Sequence, residues 1–118
     1  GHSLGGLLGV HVLTQFPQLF NAIIAIDPSM WYGQQKFLDN VVSSFPQLTL
    51  SGRKLFIGAA NTLPKGITLT QVAKDKSKET EHLRSILRLN DFLKKNTNGL
   101  QYAYQYYPND RHNTVPLI

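Results

Sequence analysis

The sequence has 118 residues, room for one domain or part of one and not for two. Its 42% hydrophobic content can build a core, which excludes a disordered or fibrous chain, while its 16% charged residues fall short of the roughly 25% usual in a soluble domain and point to surface that something else covers. Twelve Lys and Arg against seven Asp and Glu leave a net charge of +5, which permits weak polyanion binding and identifies no partner.

Taken in chain order, the first element is helical: Leu7, Val10, His11, Leu13 and Phe16 recur at three- and four-residue spacing until Pro17 stops the run. Residues 21–27 (NAIIAID) form a short apolar run rich in isoleucine, the pattern of a parallel strand buried on both faces. Pro28, Ser29 and Gly33 mark a loop, and residues 35–45 place Phe37, Leu38, Val41, Val42 and Phe45 at helical spacing before Pro46. Residues 54–59 (KLFIGA) predict a second buried strand. Residues 61–77 are polar and read as a long loop holding a short helix, a length usually functional or mobile. Residues 79–95 carry Leu83, Ile86, Leu87, Leu89, Phe92 and Leu93 on one face, an amphipathic helix ending near Asn98 and Gly99. Residues 100–107 alternate Leu100, Tyr102, Tyr104 and Tyr106 with polar or small residues, a third strand, and a polar loop follows.

Strands alternating with helices predict an α/β fold with a mostly parallel sheet. Three strands are thin for that architecture, and the chain opens on a turn. The expectation is therefore one unit over residues 1–118, the C-terminal half of a larger three-layer α/β/α domain whose early strands are missing. The unpaired edges of such a sheet offer a surface for self-association. No run approaches the ~20 apolar residues needed to span a bilayer, nothing reads as a leader peptide, and the compartment stays open. Without cysteine there are no disulfides, thiolate metal sites or thiol nucleophiles.

Gly1-His2-Ser3-Leu4-Gly5 matches G-x-S-x-G and runs directly into helix-forming sequence. A serine on so tight a turn needs strained backbone angles, which small neighbours allow. The turn sets the hydroxyl at a helix N-terminus, where the dipole favours negative charge, with the Leu4 N–H directed toward an oxyanion formed at Ser3. The hydroxyl needs a base. His112 fits best, lying in the polar loop after the last strand, whereas His2 is the variable elbow position, His11 lies inside the first helix and His82 begins a later one. The acid is open. Asp75, in the long loop after the second strand, is favoured over Asp27 at the end of the first, with Glu79 and Glu81 close behind and an acid-free dyad a further alternative. Trp31 and Tyr32, adjacent aromatics in a polar turn, are expected to line a substrate pocket with His2 or to pack beneath absent parts of the domain.

Together these residues resemble the putative-esterase branch of the α/β hydrolases, which includes S-formylglutathione hydrolase and the siderophore esterases. The likeness rests on Gly1-His2-Ser3-Leu4-Gly5-Gly6 with its helix, residues 20–32 (FNAIIAIDPSMWY), the strand at 54–58, and His112 followed by Thr114-Val115-Pro116. The resemblance implies Ser3 as nucleophile, His112 as general base, the Leu4 amide as one oxyanion donor, and an absent N-terminal half supplying the second. It also implies no metal and no organic cofactor. Asn113 stands where glycine is usual, Tyr32 where a second tryptophan is usual, and the stretch after the second strand lacks the acid many relatives carry. The expected activity is hydrolysis of a small-molecule ester through an acyl-enzyme, with the isolated fragment a poor catalyst. The alternative is a non-catalytic binding or assembly module. Neither nucleic acid nor membrane is expected as a partner, since Lys74, Lys76 and Lys78 interleave with Asp75, Glu79 and Glu81.

Overall fold

A computed structural model describes residues 1–117. Helix α1 (Leu4–Gln15) is followed by strand β1 (Ala22–Ile26), helix α2 (Lys36–Ser44), strand β2 (Lys54–Ala60), helix α3 (Glu81–Lys95) and strand β3 (Gln101–Tyr107), with short 3-10 turns at Phe45–Gln47, Leu69–Gln71, Lys78–Thr80 and Val115–Leu117. The strands form one sheet in the order β1-β2-β3, and both pairings are parallel. Ile23 lies opposite Leu55, and Leu55 opposite Tyr102, so side chains of one face line up across all three strands. Upstream of α1, His2 makes a parallel bridge to Ile26, which lays the elbow along the free edge of β1.

One hydrophobic core explains the helices. Leu7, Val10 and Leu13 of α1, Leu38 and Val41 of α2 with Phe45 beyond it, and Leu83, Ile86, Leu89 and Leu93 of α3 pack with Ala25, Leu55, Ile57 and Ala59 of the sheet. Tyr102, Tyr104 and Tyr106 extend this layer on β3, and the Tyr102 hydroxyl donates to Asn90 Oδ1 of α3 at 2.7 Å. Phe45 and Phe92 meet edge to face at 5.5 Å. The α3 pattern read from the sequence is thus the observed one, except that Lys78–Thr80 forms a tighter turn before the helix begins at Glu81.

The opposite face of the sheet differs from expectation. Strand β1 is buried at Ala25 alone, and Ile24 keeps 59% of its surface exposed. With Phe56 and Ala103 it borders a shallow apolar depression. The isoleucine-rich run has the composition of a strand covered on both sides, but among the described residues all three helices gather on one side. No described helix is long and apolar enough to cross a membrane.

After α3 the chain reverses through Asn98 and Gly99, both at positive φ. A Cβ on Gly99 would lie 2.6 Å from Ser51 Oγ and 3.0 Å from Ser51 N, so only glycine passes there.

Candidate active site

Three segments meet at the C-terminal end of the sheet. The first is the elbow. Ser3 holds φ 61 and ψ −120, a backbone state that L-residues rarely adopt, at a cost of about 1–3 kcal/mol. Hydrogen bonds hold it there: Ser3 N–H donates to Ile26 O at 3.0 Å, and the Ser3 carbonyl accepts from Leu7 and Ser29. The elbow's glycines divide in role. A Cβ on Gly1 would sit 2.6 Å from the Gly5 carbonyl group, and one on Gly6 would meet Pro28 Cβ at 3.0 Å and Pro28 Cα at 3.1 Å, whereas one on Gly5 would meet nothing within 4 Å. The requirement for small residues therefore falls on Gly1 and Gly6.

The second segment is the turn after β1. Asp27 adopts a left-handed φ of 46, and its N–H donates to Gly58 O at 2.6 Å across the sheet. Its side chain is fully buried, with Oδ1 accepting from the Ala60 N–H at 3.0 Å. Ser29, two residues on, is also buried, and its hydroxyl lies 3.3 Å from Ser3 Oγ.

The third segment is the loop after β3. Asn61 N–H donates to Asp110 O at 2.8 Å, Asn61 Nδ2 to Pro108 O at 3.2 Å, and Arg111 Nη1 to Leu63 O at 3.2 Å, so the loop is tied to the chain leaving β2. It carries His112 between the other two segments. His112 Nε2 is 3.1 Å from Ser3 Oγ, and its Nδ1 donates to Asp27 Oδ2. With Nδ1 bearing the proton, Nε2 is left as an acceptor facing the serine hydroxyl. Burial pushes the Asp27 carboxyl up, but the neighbouring His82 imidazole and the hydrogen bonds from His112 and the Ala60 N–H outweigh it and hold the group below the ordinary carboxylate value.

The expected residues fall into place unevenly. Ser3 and His112 are brought together. Asp75 is not: its Oδ1 accepts from the Ser77 N–H at 2.7 Å, the Ser77 hydroxyl at 2.5 Å and the Thr80 hydroxyl at 3.0 Å. The Ser77 and Thr80 donors hold Asp75 below its ordinary value and commit it to bracing the turn before α3, so the carboxylate at His112 is Asp27. Glu81 accepts from Gln35 Nε2 at 3.4 Å. His2, expected near substrate, donates from Nε2 to the His112 carbonyl at 2.7 Å, with the two rings 4.5 Å apart. Trp31 and Tyr32 lie side by side at 6.3 Å and half-exposed, and the Trp31 indole N–H donates to His82 Nδ1 at 3.0 Å. The sequence assigns no role to two residues found here: Ser29, read as part of the loop that follows the first strand beside the elbow, and His82, read as a helix start.

Asp27, His82 and His112 bring ligand-type atoms within 4.8 Å of one another, a transition-metal donor set. Asp27 Oδ2 lies 2.9 Å from His82 Nε2. Ligands about 2 Å from a tetrahedral metal stand roughly 3.3 Å apart, so this pair is closer than two ligands of one such ion.

No protein-family model matches the chain, and no curated protein matches it. Solved structures do. An IroE-like serine hydrolase from Shewanella oneidensis superposes with a TM-score of 0.77 at 28% identity over 98% of this chain. The siderophore hydrolase EstB from Aspergillus nidulans gives 0.76 at 23% identity over 98%, and the enterobactin and salmochelin hydrolase IroE gives 0.65 at 20% over 99%. The chain spans 34%, 42% and 39% of the length of those three proteins. The fold is the one these hydrolases share, and the chain follows it over nearly all of its own length.

Proposed function

We propose that this chain is the part of a serine ester hydrolase that carries nucleophile, acid and base, with the rest of the domain completing the substrate pocket. One observation carries the reading: a strained serine at a helix N-terminus has its Oγ 3.1 Å from an imidazole nitrogen whose partner nitrogen bears on a buried carboxylate. Neighbours that are themselves serine or siderophore hydrolases support it.

Ser3 Oγ attacks the ester carbonyl carbon as His112 Nε2 takes its proton. The buried Asp27 carboxylate stabilises the resulting imidazolium and takes no proton itself. The N–H of Leu4, first in α1 and without an intrahelical acceptor, helps to hold the oxyanion. His112 then protonates the leaving alcohol. In the second half it removes a proton from water, which attacks the acyl-enzyme and frees the carboxylic acid and Ser3. Ser29, 3.3 Å from Ser3 Oγ, restrains the hydroxyl before substrate arrives.

A fluorophosphonate probe tests the proposal. Labelling confined to Ser3 and abolished by Ser3→Ala is expected. A full-length protein that folds and stays unlabelled would return the chain to the binding-module alternative.

A further inference from the structure

The buried carboxylate at the site serves two imidazoles, and the mechanism above uses one. His82, the second residue of α3, has a side chain only 18% exposed. Its Nδ1 accepts the Trp31 indole N–H at 3.0 Å. An indole nitrogen only donates, so Nδ1 is bare and the ring proton sits on Nε2. That nitrogen is buried and lies 2.9 Å from Asp27 Oδ2, the oxygen that also faces His112. His82 Nε2 makes no hydrogen bond in the structure: Asp27 Oδ2 is close enough but lies off the N–H direction, which leaves a buried donor beside the carboxylate without a partner among the described residues. Catalytic hydrogen bonds are often poorly aligned before substrate binds and tighten only in the complex. The His82 and His112 rings also meet edge to face, their centroids 5.1 Å apart.

We infer that His82 is a positioning residue: its Nε2–H, kept on that nitrogen by Trp31, fixes the Asp27 carboxylate in the rotamer that orients His112. The inference rests on the Ser3, His112 and Asp27 reading. With Ala60 N–H on Oδ1 alone, the carboxylate can pivot about that bond and carry Oδ2 away from His112. A second donor on Oδ2 removes the pivot. It also gives Trp31 a task other than lining a pocket, because the indole selects the tautomer that can donate to Asp27.

The test compares wild type, His82→Phe and His82→Gln in steady-state hydrolysis of p-nitrophenyl butyrate. Phenylalanine keeps the ring and its packing but has no N–H. It is expected to lower kcat about tenfold, the lower end of what outer-shell partners contribute, with KM changed less than about twofold. Glutamine, whose Nε2 reaches a similar point, is expected to restore most of the loss. An unchanged kcat in His82→Phe, or no rescue by glutamine, would leave His82 as packing only. If His82→Phe does not fold, 15N spectra of the wild-type histidines decide: a His82 proton on Nε2 supports the inference and one on Nδ1 overturns it. Fluorophosphonate labelling separates the two levels. An unlabelled wild type removes the parent reading, while a labelled wild type with an indifferent His82→Phe removes only this one.

Discussion

Replacing Asp27 with asparagine separates the carboxylate that meets His112 from the acid expected from the sequence. Asparagine is nearly isosteric, and its Oδ1 can still accept the Ala60 N–H that now lies 3.0 Å from Asp27. The second position then becomes an NH2 group facing His112 Nδ1. Two donors cannot face each other, so the ring must move its proton to Nε2, where it points at Ser3 Oγ from 3.1 Å. A protonated Nε2 cannot accept the serine proton. Where an acid of this kind has been neutralised without moving it, kcat falls about 10⁴-fold, or about 5.5 kcal/mol of transition-state stabilisation. The substitution also sets an N–H against His82 Nε2, now 2.9 Å from Oδ2, and should cost about 1–3 kcal/mol of stability. Initial rates on a chromogenic ester, with circular dichroism melts to verify folding, measure both. Asp75→Ala is the control, expected to keep near-wild-type rates with a modest loss of thermal stability. A folded Asp27→Asn protein within about tenfold of wild-type kcat, or an inactive Asp75→Ala, would refute the reasoning.

Gly6→Ala should destabilise by about 1–3 kcal/mol in urea unfolding, because its Cβ would press on Pro28 at 3.0–3.1 Å and on Gly1 O at 3.2 Å, whereas Gly5→Ala should be tolerated despite occupying the motif's second glycine. Equal effects of the two would mean that the turn relaxes. The acid side of stability carries a second signature. Asp27 is held below its ordinary value of 3.8, so its ionised form stabilises the fold above that pH, and the contribution disappears as pH falls through the lower folded value. Unfolding free energies measured from about pH 6 to about pH 2 should therefore decline more steeply for wild type than for Asp27→Asn.

Much of this was legible because it is local. Helical spacing in α1 and α3, the apolar runs of β1 and β2 and the serine between small residues are set by neighbours in the sequence, and the structure keeps them within a few residues. The choice of acid was not local. Asp27 and Asp75 each follow a strand, and it is long-range contact, the ties from Asn61 and Leu63 to the His112 loop among it, that brings this loop to Asp27. A clue to Asp75 was present, since Ser77 and Thr80 follow at the spacing that lets both hydroxyls satisfy one carboxylate. The exposure of Ile24 was equally out of reach: composition says what a face could bury, and the arrangement of helices says whether anything covers it.

His112 is joined to Ser3 across 109 positions and to Asp27 across 85. Long closures of this kind are entropically expensive and are completed late when a chain folds. On warming, the order reverses. The segment bearing His112 is held by a few backbone ties, while the elbow is braced by α1 and by the edge of β1. Fluorophosphonate labelling is therefore expected to be lost on warming at a lower temperature than the helical circular dichroism signal, by local fraying of this loop.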